Sequence, residues 1–154
     1  MRRPALVLSV LVAAGIVAVI AWRVLARGDD IVGAWSGTMN MRISAVYYTD
    51  WTYDGPIALD IVQRDDDTVE GTFKCLGAFC GAALAEPIPV KGSFDDDTLV
   101  VGFSVPAIEG DEANWKFEMD YAGHALVGTV ERTTSTGFGF RTTSGRVRLQ
   151  RQQQ

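Results

Sequence analysis

The sequence predicts an all-β fold: an eight-stranded antiparallel meander closed into a barrel, preceded by one N-terminal transmembrane helix. Three observations carry this. Apolar residues recur with period two almost everywhere after residue 30. Polar turns of similar composition separate these runs. An uncharged apolar stretch opens the chain. Glycines expected on the inward face (Gly33, Gly37, Gly71, Gly92, Gly128) interleave with Trp, Phe and Met, and small beside large is how a narrow barrel is filled. Closure also removes exposed strand edges. A sandwich of two sheets is the alternative.

The opening stretch, Pro4 to Trp22, is 19 residues with no charge and one hydroxyl, Ser9. As a helix it would span about 28 Å, close to one hydrocarbon core. Arg2 and Arg3 precede it, and Arg23, Arg27, Asp29 and Asp30 follow. The amino end is expected in the cytoplasm and the remainder outside it. Trp22 and Arg23 spoil the small, neutral cleavage region of a signal peptide. This favours an uncleaved signal anchor over residues 1–27 and an extracytoplasmic domain over 28–154. Cleavage after Val19-Ile20-Ala21 or Val24-Leu25-Ala26 is the alternative and would release the domain. No cysteine directly follows the apolar run, so a lipoprotein is not expected.

The strands follow in order. Residues 31–41 begin "IVGAWSGTM". In 56–64, Ile57, Leu59 and Ile61 alternate with Ala58, Asp60 and Val62. In 68–75, Val69, Gly71 and Phe73 alternate with polar residues. In 88–95, Val90, Gly92 and Phe94 share a face, as do Leu99, Val101, Phe103 and Val105 in 98–105. The clearest strand is 113–121, where Trp115, Phe117, Met119 and Tyr121 oppose Asn114, Lys116, Glu118 and Asp120. Leu126, Gly128 and Val130 mark 125–132, and Val147 and Leu149 mark 145–151. The tips "RDDDTVEG" and "FDDDTLVVG" align, with Asp65 and Asp95 30 residues apart. Asp tolerates turn geometry and bonds its own backbone, so these are hairpin tips. The ligand-loop glycine and closing glutamate of a calcium-binding EF-hand are absent.

Charge and cysteines bound the function. Four of the 14 Lys and Arg residues precede residue 28 and all 19 acids follow it, so the domain carries a formal charge of −9. Nucleic acid as a partner is therefore not expected. Five arginines and no acid lie from Arg132 onward, read either as a basic contact edge or as partners for acidic neighbours of the last strand. Cys75 and Cys80, in "KCLGAFCG", are expected to form a disulfide in an oxidising compartment. A redox pair usually reads Cys-x-x-Cys, and a metal site needs more ligands than one histidine provides. No metal and no cofactor is expected.

The first strand's Gly33-Ala34-Trp35 resembles the Gly-x-Trp that opens the barrel in lipocalins and their relatives, the calycin-type barrels. The wider pattern, hairpins ending in "GTF" or "GTV", is similar to small lipocalin-like barrels of exported bacterial proteins of unknown function. The resemblance covers about residues 31–151 and rests on two or three residues. It implies an arginine near the last strand packing over the tryptophan. Arg151 shares parity with Val147 and Leu149, and Arg148 has the opposite parity. The chain departs from lipocalins in lacking a helix after the barrel.

Catalytic chemistry is sparse. The single histidine, His124, sits in a turn, and no acid within the clear strands has inward parity. The protein is expected not to be an enzyme. Four longer connections, 42–55, 75–87, 106–112 and 133–144, all follow odd-numbered strands and so share one end of the barrel. That end holds Tyr47, Tyr48, Asp50, Trp51, Tyr53 and Asp54 of "YYTDWTYDG". Rings beside carboxylates suit a glycan or a protein partner, and Phe79, Phe138 and Phe140 would join them. The same rings could instead fold over the barrel mouth as a lid. Three functions remain: non-catalytic binding through the aromatic end, carriage of a small apolar ligand inside the barrel, or a loop-borne enzyme if Asp50, Asp54, Glu109, Asp111 and Glu112 met in one cleft.

Overall fold

The computed structural model describes residues 31–43, 51–77, 82–106, 112–136 and 139–153. Its eight strands are β1 Gly33–Ile43, β2 Trp51–Asp65, β3 Thr68–Cys75, β4 Ile88–Asp95, β5 Thr98–Pro106, β6 Glu112–Tyr121, β7 Ala125–Thr136 and β8 Gly139–Arg151. Each pairs antiparallel with its chain neighbour, and β8 returns to β1. The barrel is closed, so the sandwich alternative falls. One short helical turn, α1 Ala82–Ala85, interrupts the β3–β4 connection, where the sequence predicted no helix. Among the described residues no helix is long and apolar enough to cross a membrane, and the segment 1–27 lies outside them.

Antiparallel alternation gives the barrel two ends. The near end carries the start of β1, the end of β8 and the tips at Asp66–Asp67, Asp96–Asp97 and Gly123–His124. The far end carries the carboxyl ends of β1, β3, β5 and β7. At the near tips the backbone is left-handed at Asp66 (φ 49°), Asp96 (φ 46°) and Asp97 (φ 64°). Asp is among the few residues that adopt this readily, which explains the recurring "DDD".

The inward faces close on an apolar core. Near the near end, Trp35 meets Tyr121 edge-on at 6.0 Å, and Phe94 meets the same ring at 5.9 Å. Arg151 lies over Trp35 at 5.1 Å and Arg64 over Phe94 at 4.9 Å. Arg64 reaches this position because the β2–β3 register shifts between Ile61 and Gln63, a bulge that leaves Val62 exposed. The middle is filled by Phe73 and Phe103 (5.0 Å), Phe73 and Phe117 (5.2 Å), and Phe103 stacked on Trp115 (6.0 Å). Such pairs stabilise by about 0.5–1.5 kcal/mol each beyond burial.

Two inward glycines show how tightly the wall coils. A Cβ on Gly128 would strike the Glu118 carbonyl and the Met119 Cα, and one on Gly92 would strike the Val100 carbonyl. No side chain fits there without moving a strand.

The sequence predicted strands at 145–151 and 56–64. Instead β8 starts at Gly139 and β2 at Trp51. The expected connection 133–144 is mostly a long hairpin, paired from Arg132–Thr143 out to Thr136–Gly139.

Candidate functional site

Cross-strand pairing assembles the inner wall at the far end. Phe103 faces Trp115, Trp115 faces Arg132, and Arg132 faces Thr143. One row nearer the opening, Val105, Ala113, Thr134 and Arg141 are paired in the same way. Parity places both rows inward: Arg132 continues the face of Leu126 and Val130, and Arg141 that of Val147 and Leu149.

This patch is basic and lacks an acidic counterpart among the described residues. The Arg132 guanidinium sits over the Trp115 ring at 5.8 Å and donates from Nη1 to Thr134 Oγ1 at 2.9 Å. Burial first, and the neighbouring Arg141 second, press the Arg132 pKa below the ordinary guanidinium value. A guanidinium stays charged under such a shift, so the pair remains two cations. Among the described residues neither Arg132 nor Arg141 meets a carboxylate. Trp115 is 7% exposed, and its Nε1–H is buried with no acceptor among the described residues. Thr143 is the buried polar side chain across from Arg132.

The residues singled out in the sequence fall in several places. Tyr53 does not join an exposed aromatic surface. It points inward on β2, 4% exposed, opposite Met41. Its hydroxyl lies 2.6 Å from Cys75 Sγ. No described cysteine is a free thiol, so the hydroxyl donates to the sulfur. Burial first and Asp54 second push the Tyr53 pKa up. Asp54 is exposed on the outer face, opposite Asn40. Tyr47, Tyr48, Asp50, Cys80, Phe79 and Phe138 lie outside the described residues, and so does the Trp51 side chain; the Trp51 backbone begins β2 opposite Ile43. Phe140 is 82% exposed on the far-end hairpin, and Leu76 is 52% exposed just beyond β3.

Gly33, Trp35 and Arg151 come together as the resemblance implied. Arg151 pairs with Trp35 in the β1–β8 ladder, covers its ring and donates from Nη2 to the Val32 carbonyl at 3.0 Å. Arg148 points outward, opposite Thr38 and Val127. Arg146 likewise faces Asn40 and Thr129, with Glu131 diagonal to it across the β7–β8 pair.

An open groove of about 650 Å³ lies at the near end, lined by Val32, Gly33, Ala34, His124, Arg151, Gln152 and Gln153. Its arginine is already engaged with Trp35 and Val32. Asp54 on β2 and Glu112 on β6 are both exposed on strands that do not pair, and Asp50, Glu109 and Asp111 lie outside the described residues. Among the described residues no three His, Cys, Asp or Glu side chains converge as a metal site would need.

Arg141 was missed as a site residue because "TTSTGFGFRTTS" shows no apolar alternation and read as a loop, and Arg132 because it read as the end of the strand 125–132 and the first of five arginines. The period-two signal was present all along, but carried by Arg and Thr. Comparison with known proteins finds no family model that matches the chain and no curated protein similar to it.

Proposed function

We propose that the protein is a non-catalytic binding protein, an extracytoplasmic lipocalin-like barrel held to a membrane by residues 1–27, whose far end meets a protein or glycan partner. The Cys75–Cys80 disulfide is part of this reading and ties β3 to the far-end connection. The observation that carries it is the exposure of Phe140 and Leu76 at the end where "YYTDWTYDG" enters β2. Isolated exposed apolar residues need no explanation, but two at the end that also receives three further rings in sequence, Tyr47, Tyr48 and Trp51, define a surface. The stacked Phe73, Phe103, Phe117 and Trp115 favour this rim over carriage of an apolar ligand in the lumen, because those rings occupy the space such a ligand needs.

Photo-cross-linking in intact cells tests this. A photoreactive residue at Phe140 or Leu76 is expected to yield the same discrete adduct, and one at Val62 or Val127, exposed elsewhere on the barrel, none. Equal yields at all four positions would overturn the reading.

A further inference from the structure

The geometry points to a binding site for a small organic carboxylate on the inner wall of the far end, held by Arg132, Arg141 and the Trp115 indole N–H. The inference deepens the far-end reading by naming the chemistry recognised there, and rests on that reading only for the site's location.

Three observations converge. First, Arg132 and Arg141 lie on adjacent strands, two register steps apart across the diagonal Arg132–Thr143 and Thr134–Arg141 pairs. Diagonal neighbours stand roughly 7–8 Å apart at the backbone, within reach of one another's long side chains. Two inward-facing cations there repel, and nothing acidic among the described residues offsets them. A fold gains no stability from that arrangement, whereas an anion between them would turn the repulsion into attraction. Second, Trp115 is more than nine-tenths buried, with an Nε1–H that has no acceptor among the described residues. A buried donor without a partner is rare in a native structure and marks a place where an acceptor belongs. Trp115 is the register partner of Arg132 and lies beneath its guanidinium, so donor and cation belong to one patch. Third, the hydroxyls of Thr134 and Thr143 flank the two arginines, and the remaining wall, Val105, Ala113 and Phe103, is apolar.

This donor set suits a planar oxyanion. A guanidinium presents paired N–H groups that match the two oxygens of a carboxylate. Arg132 spends Nη1 on Thr134, which leaves other N–H groups for a ligand. The apolar wall favours an anion with a hydrocarbon body over bare phosphate. The carboxylate would bridge Arg132 and Arg141 and accept from Trp115 Nε1, with its body against Val105 and Ala113.

The test uses the full chain in lipid nanodiscs, with ¹⁵N-labelled tryptophan. Loss of one indole signal in Trp115→Phe assigns Trp115. Benzoate is titrated, with benzamide as the uncharged isostere and inorganic phosphate as the bare anion. The expected result is a saturable downfield shift of the Trp115 indole signal with benzoate and no saturable shift with benzamide. Affinity should fall at least tenfold in Arg132→Gln. Arg141→Gln, one row nearer the opening, should show the same loss if Arg132→Gln does not fold. A saturable response to phosphate but not benzoate would overturn the carboxylate assignment. Equal shifts with benzamide, or unchanged affinity in both variants, would overturn the site. Free benzoate reads the wall without any partner, so failed cross-linking at Phe140 leaves this outcome intact.

Discussion

Arg151 offers the sharpest test of how the near end is closed. Replacing it with Met keeps the aliphatic stem but removes the guanidinium from Trp35 and its donation to the Val32 carbonyl. The ring contact, half-exposed, contributes about 1 kcal/mol. The hydrogen bond from a charged donor would contribute about 1.5–3 kcal/mol if buried, and about 1 kcal/mol after solvent screening at this half-exposed site. The loss is about 2 kcal/mol, or a fall of about 8 °C in Tm for a domain of this size. Arg148→Met is the matched control, since Arg148 is exposed and points outward between Thr38 and Val127, so its loss should stay within about 0.5 kcal/mol. Thermal melts of both variants, followed by near-ultraviolet circular dichroism, read the difference directly. Equal destabilisation by the two substitutions, or none from Arg151→Met, would refute the reasoning and with it the assignment of Arg151 as the cover of Trp35.

Three other outcomes follow from the packing. Gly128→Ala forces a Cβ against the Glu118 carbonyl and Met119 Cα, both backbone, and should lower stability by about 3 kcal/mol, measured as a Tm drop. Tyr53→Phe loses the bond to Cys75 Sγ and should cost about 1 kcal/mol near neutral pH. Because the folded Tyr53 pKa lies above its ordinary value of about 10, the folded state keeps a proton that the unfolded state loses as pH rises past that value. The wild-type advantage over Tyr53→Phe should therefore shrink through that alkaline window, as denaturant melts at stepped pH would show. Asp97→Gly relieves a left-handed backbone at the β4–β5 tip and should stabilise by about 0.5 kcal/mol, seen as a small rise in the urea midpoint.

Where the interior is apolar, the strands could be read from the sequence. "NWKFEMDY" gave β6 almost to the residue, because every second side chain enters an apolar core. The inward glycines and the Trp35–Arg151 pair were legible for the same reason: each is a packing demand with a parity. The signal failed where the barrel wall turns polar. Arg132, Thr134, Arg141 and Thr143 alternate as regularly as any strand, but with the wrong residue types to register as one. The start of β2 was hidden by Gly55-Pro56, which reads as a turn. Pro56 is tolerated because it is exposed, and its carbonyl accepts from the Leu76 amide. Tyr53 shows the limit of composition: an aromatic among aromatics and acids looked like a surface, yet strand parity, two steps from Gly55 and four from Ile57, sends it inside. The two arginines needed the register itself, because only closure of β8 on β7 sets Arg141 diagonally from Arg132.

The most direct test of binding at the polar far-end wall rather than among the aromatic rings of the core is a native mass spectrum of the full chain released from nanodiscs, alongside Arg132→Gln. The expected spectrum shows a chain lighter by the pair of hydrogens lost to the disulfide, with any small-molecule adduct absent from Arg132→Gln. An apolar adduct that survives desalting and persists in Arg132→Gln would contradict this, and would make the barrel a carrier whose interior opens around its ligand.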